Sequence, residues 1–230
     1  MKDTYNNLLN FWNKSFVLND EDKKELENIN PDDYKSIAPN MKLVDALSLF
    51  SGCENVLDYG AGNGWSSIIM AKCGAKHIKS VDVAPNFKNV VEVYSKSFNV
   101  YDKLDIECVD YNYLNNVNDD TFDGFFVSNV VDVIPYDMAV DIIKNASRIT
   151  KPGSTIIFSM NYYIDTKLLN VPGYVVEGSH IYIDGILRLN SLSDDEWKNI
   201  FSKYFKNIKL SYFSWPGEDK EKRRLFIMKK

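Results

Sequence analysis

Val56-Leu57-Asp58-Tyr59-Gly60-Ala61-Gly62-Asn63-Gly64 is the stretch on which the fold is decided: a short apolar run, a carboxylate, then alternate glycines. The apolar run suits a buried strand and Ser66–Lys72 a helix, so the glycines lie where a strand turns into a helix. Glycine there lets the backbone take φ > 0 and pass within contact distance of a ligand. The spacing separates ligand classes. A dinucleotide fingerprint, G-x-G-x-x-G, needs a glycine at position 65, where Trp65 would obstruct a pyrophosphate. A phosphate-binding P-loop needs Gly-Lys-Ser/Thr, which does not follow. What remains is acidic-x-Gly-x-Gly-x-Gly, and Asp58 just before the turn disfavours phosphate and suits an ammonium-bearing ligand.

Outward from the turn, β-rich runs alternate with helical ones, the pattern of a parallel sheet covered by helices. Strands are expected at 55–58, 77–83, 104–110, 122–128 and 154–160. Helices are expected at 66–72, 86–98 and 137–149, the last with Ala139, Ile142, Ile143, Ala146 and Ile149 on one face. Lys151-Pro152-Gly153 should stop that helix. Ser193 and Glu196 form a capping box for one more helix, and Asn207–Phe213 with Arg224–Met228 read as an antiparallel hairpin.

Two further carboxylates fall at strand ends. Asp82, in Ser80-Val81-Asp82-Val83, lies about twenty residues beyond the turn, where it can accept hydrogen bonds from ribose hydroxyls. Asp110, in Cys108-Val109-Asp110-Tyr111, could take an adenine amino proton. An adenosine with a cationic, phosphate-free tail matches all three acidic positions.

At roughly residues 40–230 the chain resembles the class I S-adenosylmethionine-dependent methyltransferases. The resemblance rests on Val56–Gly64, Asp82, Asp110-Tyr111, the run Phe122–Val131 and Lys151-Pro152-Gly153. It implies an α/β, three-layer Rossmann-like fold: a seven-stranded, mostly parallel sheet with an antiparallel C-terminal strand. It also implies S-adenosyl-L-methionine as cofactor and S-adenosyl-L-homocysteine as product. By the same resemblance Gly60, Ala61, Gly62 and Gly64 line the methionine portion and Asp58 anchors that region. Asp82 and Val83 flank the ribose, Asp110 and Tyr111 border the adenine, and Ser128, Asn129 and Val130 run along the cofactor. Members that methylate base amino groups or protein amides commonly carry Asn/Asp-Pro-Pro-Tyr/Phe after the fourth strand. Ser128-Asn129-Val130-Val131 departs from that motif and points to small-molecule acceptors, methylated on oxygen or nitrogen.

Two segments stand outside the sheet pattern. Residues 1–50 read as a helical lid, with Trp12 as a further cofactor contact; 51–230 form the core, with a substrate-covering insert at about 161–192. Tyr162, Tyr163 and Asp132 are the candidate substrate contacts, and His180 is the candidate general base, since imidazole titrates near neutral pH. With 2 histidines in 230 residues, imidazole-based metal chemistry is not expected. A net charge of −5 disfavours nucleic acid. Cys53, Cys73 and Cys108 lack C-x-x-C spacing and read as buried or half-buried thiols of a reducing compartment. No stretch approaches the ~20 apolar residues of a membrane span, and residues 1–7 lack a signal-peptide pattern, so the cytoplasm is expected. The partner is then a small molecule, with no membrane, and the chain a monomer or homodimer. The rival readings are a regulatory S-adenosylmethionine-binding protein without transfer activity and an RNA-directed methyltransferase; Trp65 argues against a nicotinamide oxidoreductase.

Overall fold

A computed structural model describes residues 2–230, so Met1 of the expected lid lies outside the described residues. The elements run α1 (Lys2–Ser15), α2 (Asp20–Glu27), α3 (Met41–Leu47), β1 (Val56–Tyr59), α4 (Trp65–Lys72), β2 (Ile78–Asp82), α5 (Phe87–Ser97) and β3 (Leu104–Cys108). They continue with α6 (Tyr113–Asn116), β4 (Phe122–Ser128), α7 (Tyr136–Ile149), β5 (Thr150–Met160), β6 (Tyr174–Glu177), β7 (His180–Ile183) and β8 (Ile186–Asn190). The chain closes with α8 (Asp194–Phe201), β9 (Lys206–Phe213) and β10 (Arg223–Lys229).

Seven strands form one sheet in the order β3-β2-β1-β4-β5-β10-β9. The first five are mutually parallel, and β10 runs antiparallel to both β5 and β9. Because strand side chains alternate between faces, adjacent residues serve two cores. Leu57, Phe125, Ile156 and Phe158 pack toward α7 and α8, meeting Ala139, Ile143, Trp197 and Phe201. Val56, Phe126 and Ile157 pack the other way, against Leu43, Leu47, Phe50, Ile68 and Ile69 of the α3 and α4 layer. The expected three layers follow from that alternation. The strand order reverses between β1 and β4, and in open α/β sheets ligands bind in the crevice at such a point, outside the carboxyl ends of the strands.

Lys151-Pro152-Gly153 does more than stop α7. The strand begins at Thr150, which pairs with Phe122, and the next match is Gly124 with Thr155. Pro152 has no N–H for the ladder and Gly153 sits at φ +82°, so the segment bulges out of register within β5. The capping box holds as read: the Ser193 hydroxyl accepts from the Glu196 N–H and the Glu196 carboxylate accepts from the Ser193 N–H. Cys53 and Cys73 are half-buried, whereas Cys108 is exposed, a correction that follows from its place at the end of the edge strand β3.

The insert at 161–192 is a separate antiparallel sheet, β6-β7-β8. It is tied to the main core where the Asn190 N–H donates to the Asp132 carbonyl (2.6 Å). On its other side α1 packs on β8, with the Arg188 guanidinium stacked over the Phe11 ring at 3.8 Å. Among the described residues no helix is long and apolar enough to cross a membrane.

Candidate active site

The glycine turn leaves β1 under tight local constraint. Gly60 has φ +75°, and a Cβ there would stand 2.3 Å from Cγ2 of Val130, so the close approach of the turn to the β4 end requires glycine. Gly64, at φ +81°, precedes α4 and packs against Val91 of α5. Asp58 is buried beneath the turn, and one carboxylate oxygen accepts from both the Ser66 (2.7 Å) and Ser67 (2.5 Å) hydroxyls. Burial pushes its carboxyl up to about 6, although both serines favour the ionised form. Asp58 thus anchors the first turn of α4 and does not reach the cavity.

Asp82 ends β2 and does face the cavity. Its Oδ2 accepts from the Gly62 N–H (3.0 Å) and its Oδ1 from the Ala84 N–H (2.9 Å). Burial raises its carboxyl, with the Ala84 and Gly62 N–H groups opposing. An ionised carboxylate offers about four lone-pair sites, so two hydrogen bonds leave capacity for ligand hydroxyls.

These residues open onto a cavity of about 620 Å³ at the carboxyl edge of the sheet, within the range of small-molecule sites. Of the residues expected to hold cofactor, Gly60, Ala61, Gly62, Asp82, Val83, Tyr111, Ser128, Asn129, Val130 and Trp12 line it. Asp58, Gly64 and Asp110 do not. Asp110 is exposed, and its Oδ1 accepts from the Asn112 N–H (2.7 Å), a loop-capping turn beside the cavity rather than in its wall.

The candidate substrate and catalytic residues lie elsewhere. Asp132 is fully buried, with Oδ2 taking the Asn161 backbone (2.6 Å) and side-chain (2.8 Å) N–H groups, so it ties β4 to the start of the insert. Tyr162 and Tyr163 line a different, open depression with Tyr212 and Arg224. His180 is half-buried in β7 and absent from the cavity lining; burial lowers its imidazole. Sequence order placed Tyr162 and Tyr163 just after β5, but Asn161 before them is held by Asp132 and the two rings line the other depression.

The lining also includes Phe16, an aromatic of the expected lid, and residues with no local signal of that role: Ile37, Pro39, Met138, Trp215 and Pro216. Trp215-Pro216-Gly217 reads as a hairpin turn; β10, which follows it, pairs with β5, and Trp215 and Pro216 line the cavity. Asp82 is the one charged side chain in the lining among the described residues.

The walls fit an adenosine with a cationic tail: a carboxylate at the end of β2, a glycine cradle beside it, and the buried Asn129 Oδ1 without a protein partner at the end of β4. Residues 57–158 match the profile of the methyltransferase domain family. The matched segment is a methyltransferase domain. S-adenosylmethionine is therefore its cofactor. The ubiquinone biosynthesis O-methyltransferase of Neisseria meningitidis is 26% identical over 149 residues, which are 65% of this chain and 56% of that protein, so the chain spans little more than half of the relative's length. Among solved structures, the S-adenosylmethionine dependent methyltransferase from Mesorhizobium loti superposes with TM-score 0.64 at 15% identity, covering 85% of this chain and 99% of that one. TehB from Haemophilus influenzae gives TM-score 0.62 at 19% identity over 86% and 64% of the two chains. The likeness to these structures is one of fold.

Proposed function

We propose that the chain is an enzyme that transfers the methyl group of S-adenosylmethionine to an oxygen or nitrogen of a small-molecule acceptor. The observation that carries this reading is the continuity of one cavity: Asp82 and the glycine cradle at one end run without a break into apolar walls that include Ile37, Pro39, Trp65 and Trp215. When bound, the cofactor supplies a methyl group already activated by the sulfonium charge. The chain's own residues bind, orient and exclude water. Asp82 takes the ribose hydroxyls, Val83, Val109 and Tyr111 flank the adenine, and Gly60–Gly62 with Ser128–Val130 hold the amino-acid portion. Trp12, Ser15 and Phe16 of α1 and the segment after it cover the opening, so residues 1–50 act as the lid. Holding the acceptor atom in line and shutting out water supplies most of the rate, which leaves little for acid–base groups to do. We place the enzyme in the cytoplasm, where its free thiols stay reduced.

Calorimetry with S-adenosylmethionine and S-adenosylhomocysteine tests the cofactor assignment, and release of S-adenosylhomocysteine over a panel of small acceptors tests the transfer. Binding of both ligands at micromolar or tighter dissociation constants is expected. Tight binding of NADH with none of the sulfonium would overturn the reading.

A further inference from the structure

Trp215 is held more firmly than a surface hairpin residue needs to be. The Arg223 guanidinium lies over its indole, 3.8 Å from the ring centroid. Every nitrogen of that guanidinium is engaged: Nε donates to Glu218 Oε1 (2.9 Å) and Oε2 (3.0 Å), Nη2 to Glu218 Oε1 (2.7 Å), and Nη1 to Asn161 Oδ1 (2.5 Å). Glu218 Oε2 also accepts the Trp215 backbone N–H (2.9 Å), so ring and backbone are fixed by one ion pair. Asn161 in turn donates to Asp132, whose neighbours Val130, Val133 and Ile134 line the same cavity. A polar chain, Glu218–Arg223–Asn161–Asp132, buried at Arg223 and Asp132 and half-buried at Glu218 and Asn161, therefore sets the relative position of two of its walls. The third wall is joined as well, since the Asn40 side chain donates to the Ser214 carbonyl (2.9 Å) and so ties the Ile37–Pro39 segment to the hairpin.

Resting on the methyltransferase reading, we propose that the acceptor is a planar aromatic molecule, neutral or anionic, that stacks on Trp215, and that Arg223 is the positioning residue for that stack. Arg223 occupies one indole face of a side chain that also lines the cavity and is 36% exposed. A cation already drawing on the π-electrons makes the remaining face less attractive to a second cation and suits an offset arene. Pro39 and Pro216 add flat apolar surface, and the lining places no lysine, arginine or histidine there among the described residues. The planar guanidinium is what a stack of this kind needs, and a lysine ammonium does not provide it.

The test uses the full chain loaded with S-adenosylhomocysteine, with naphthalene-2-thiol and 2-naphthol as planar probes, cyclohexanethiol as a non-planar one and N-methylquinolinium as a planar cation. Calorimetry reads cofactor and probe binding separately. The two naphthalene probes should bind at least about tenfold more tightly than cyclohexanethiol or the cation. Trp215→Ala should lose about tenfold in naphthalene affinity, Trp215→Phe should recover most of it, and Arg223→Lys should lose several-fold, all with S-adenosylhomocysteine affinity within about twofold of the parent. Equal probe affinity in Trp215→Ala, or a preference for the cation, would overturn the stack while leaving the methyltransferase reading intact. Failure of S-adenosylhomocysteine to bind the parent chain would overturn that reading and this inference together.

Discussion

The carboxyl edge of the sheet and the segments that cover it are two differently built regions. At the edge, function follows from the ends of neighbouring strands: Gly60 meets Val130 because β1 and β4 are adjacent, and Asp82 holds Gly62 because β2 lies on the other side. In the cover, function follows from groups brought together over long stretches of chain, as when Trp215 and Ile37 line one cavity. The lesson is that the ligand class is set by short-range backbone geometry, and acceptor choice by hairpins and helices whose contacts no local pattern encodes.

The sharpest way to break this comparison is at the edge. Gly60→Ala must carry a Cβ toward Val130 at φ +75°, and strain plus overpacking should cost about 4 kcal/mol of stability in urea unfolding. A loss under about 1 kcal/mol would show that the edge is softer than its geometry implies.

The next effect is the pH response of Asp58. Its folded carboxyl lies above the unfolded one, at about 6 against 3.8. The sign follows: its stabilising contribution is fully present below the unfolded value and is lost as pH rises through about 6, a change of roughly 3 kcal/mol. Asp58→Asn keeps an acceptor for Ser66 and Ser67 without the charge. Unfolding from about pH 4 to about pH 7 should show the variant gaining on the parent by most of that amount as pH rises. A constant difference across the range would deny the burial effect.

Asp82→Ala comes third. Losing charge-assisted hydrogen bonds to the cofactor should weaken S-adenosylhomocysteine binding about ten- to a hundredfold by calorimetry. Unchanged affinity would make Asp82 a support for Gly62 and Ala84 alone. The smallest effect is expected in the insert: His180→Ala should alter cofactor affinity by less than about twofold, because His180 lies outside the cavity. A large loss in turnover would show that the insert closes further over the acceptor.

The alternation of helices and strands was legible because glycine, proline and side-chain periodicity act over a few residues. The site was legible to the same depth. Gly60, Asp82, Ser128 and Asn129 fall on the cavity because they end strands that converge there. Asp110 fell short by one turn, its carboxylate taken up by Asn112. Tyr162, Tyr163 and His180 could not be placed, because the chain after β5 is turned aside by the Asp132–Asn161 bonds, and nothing in the order of residues announces a tether between β4 and the insert. Trp215 was visible only as a turn residue for the same reason.

The Arg188–Phe11 stack has an engineering consequence. It joins the first helix to the last strand of the insert, two pieces far apart along the chain. A chimera that borrows the insert from another methyltransferase while keeping its own first helix would leave Phe11 facing a surface it was not shaped for. Acceptor preference should therefore transplant only when both pieces travel together.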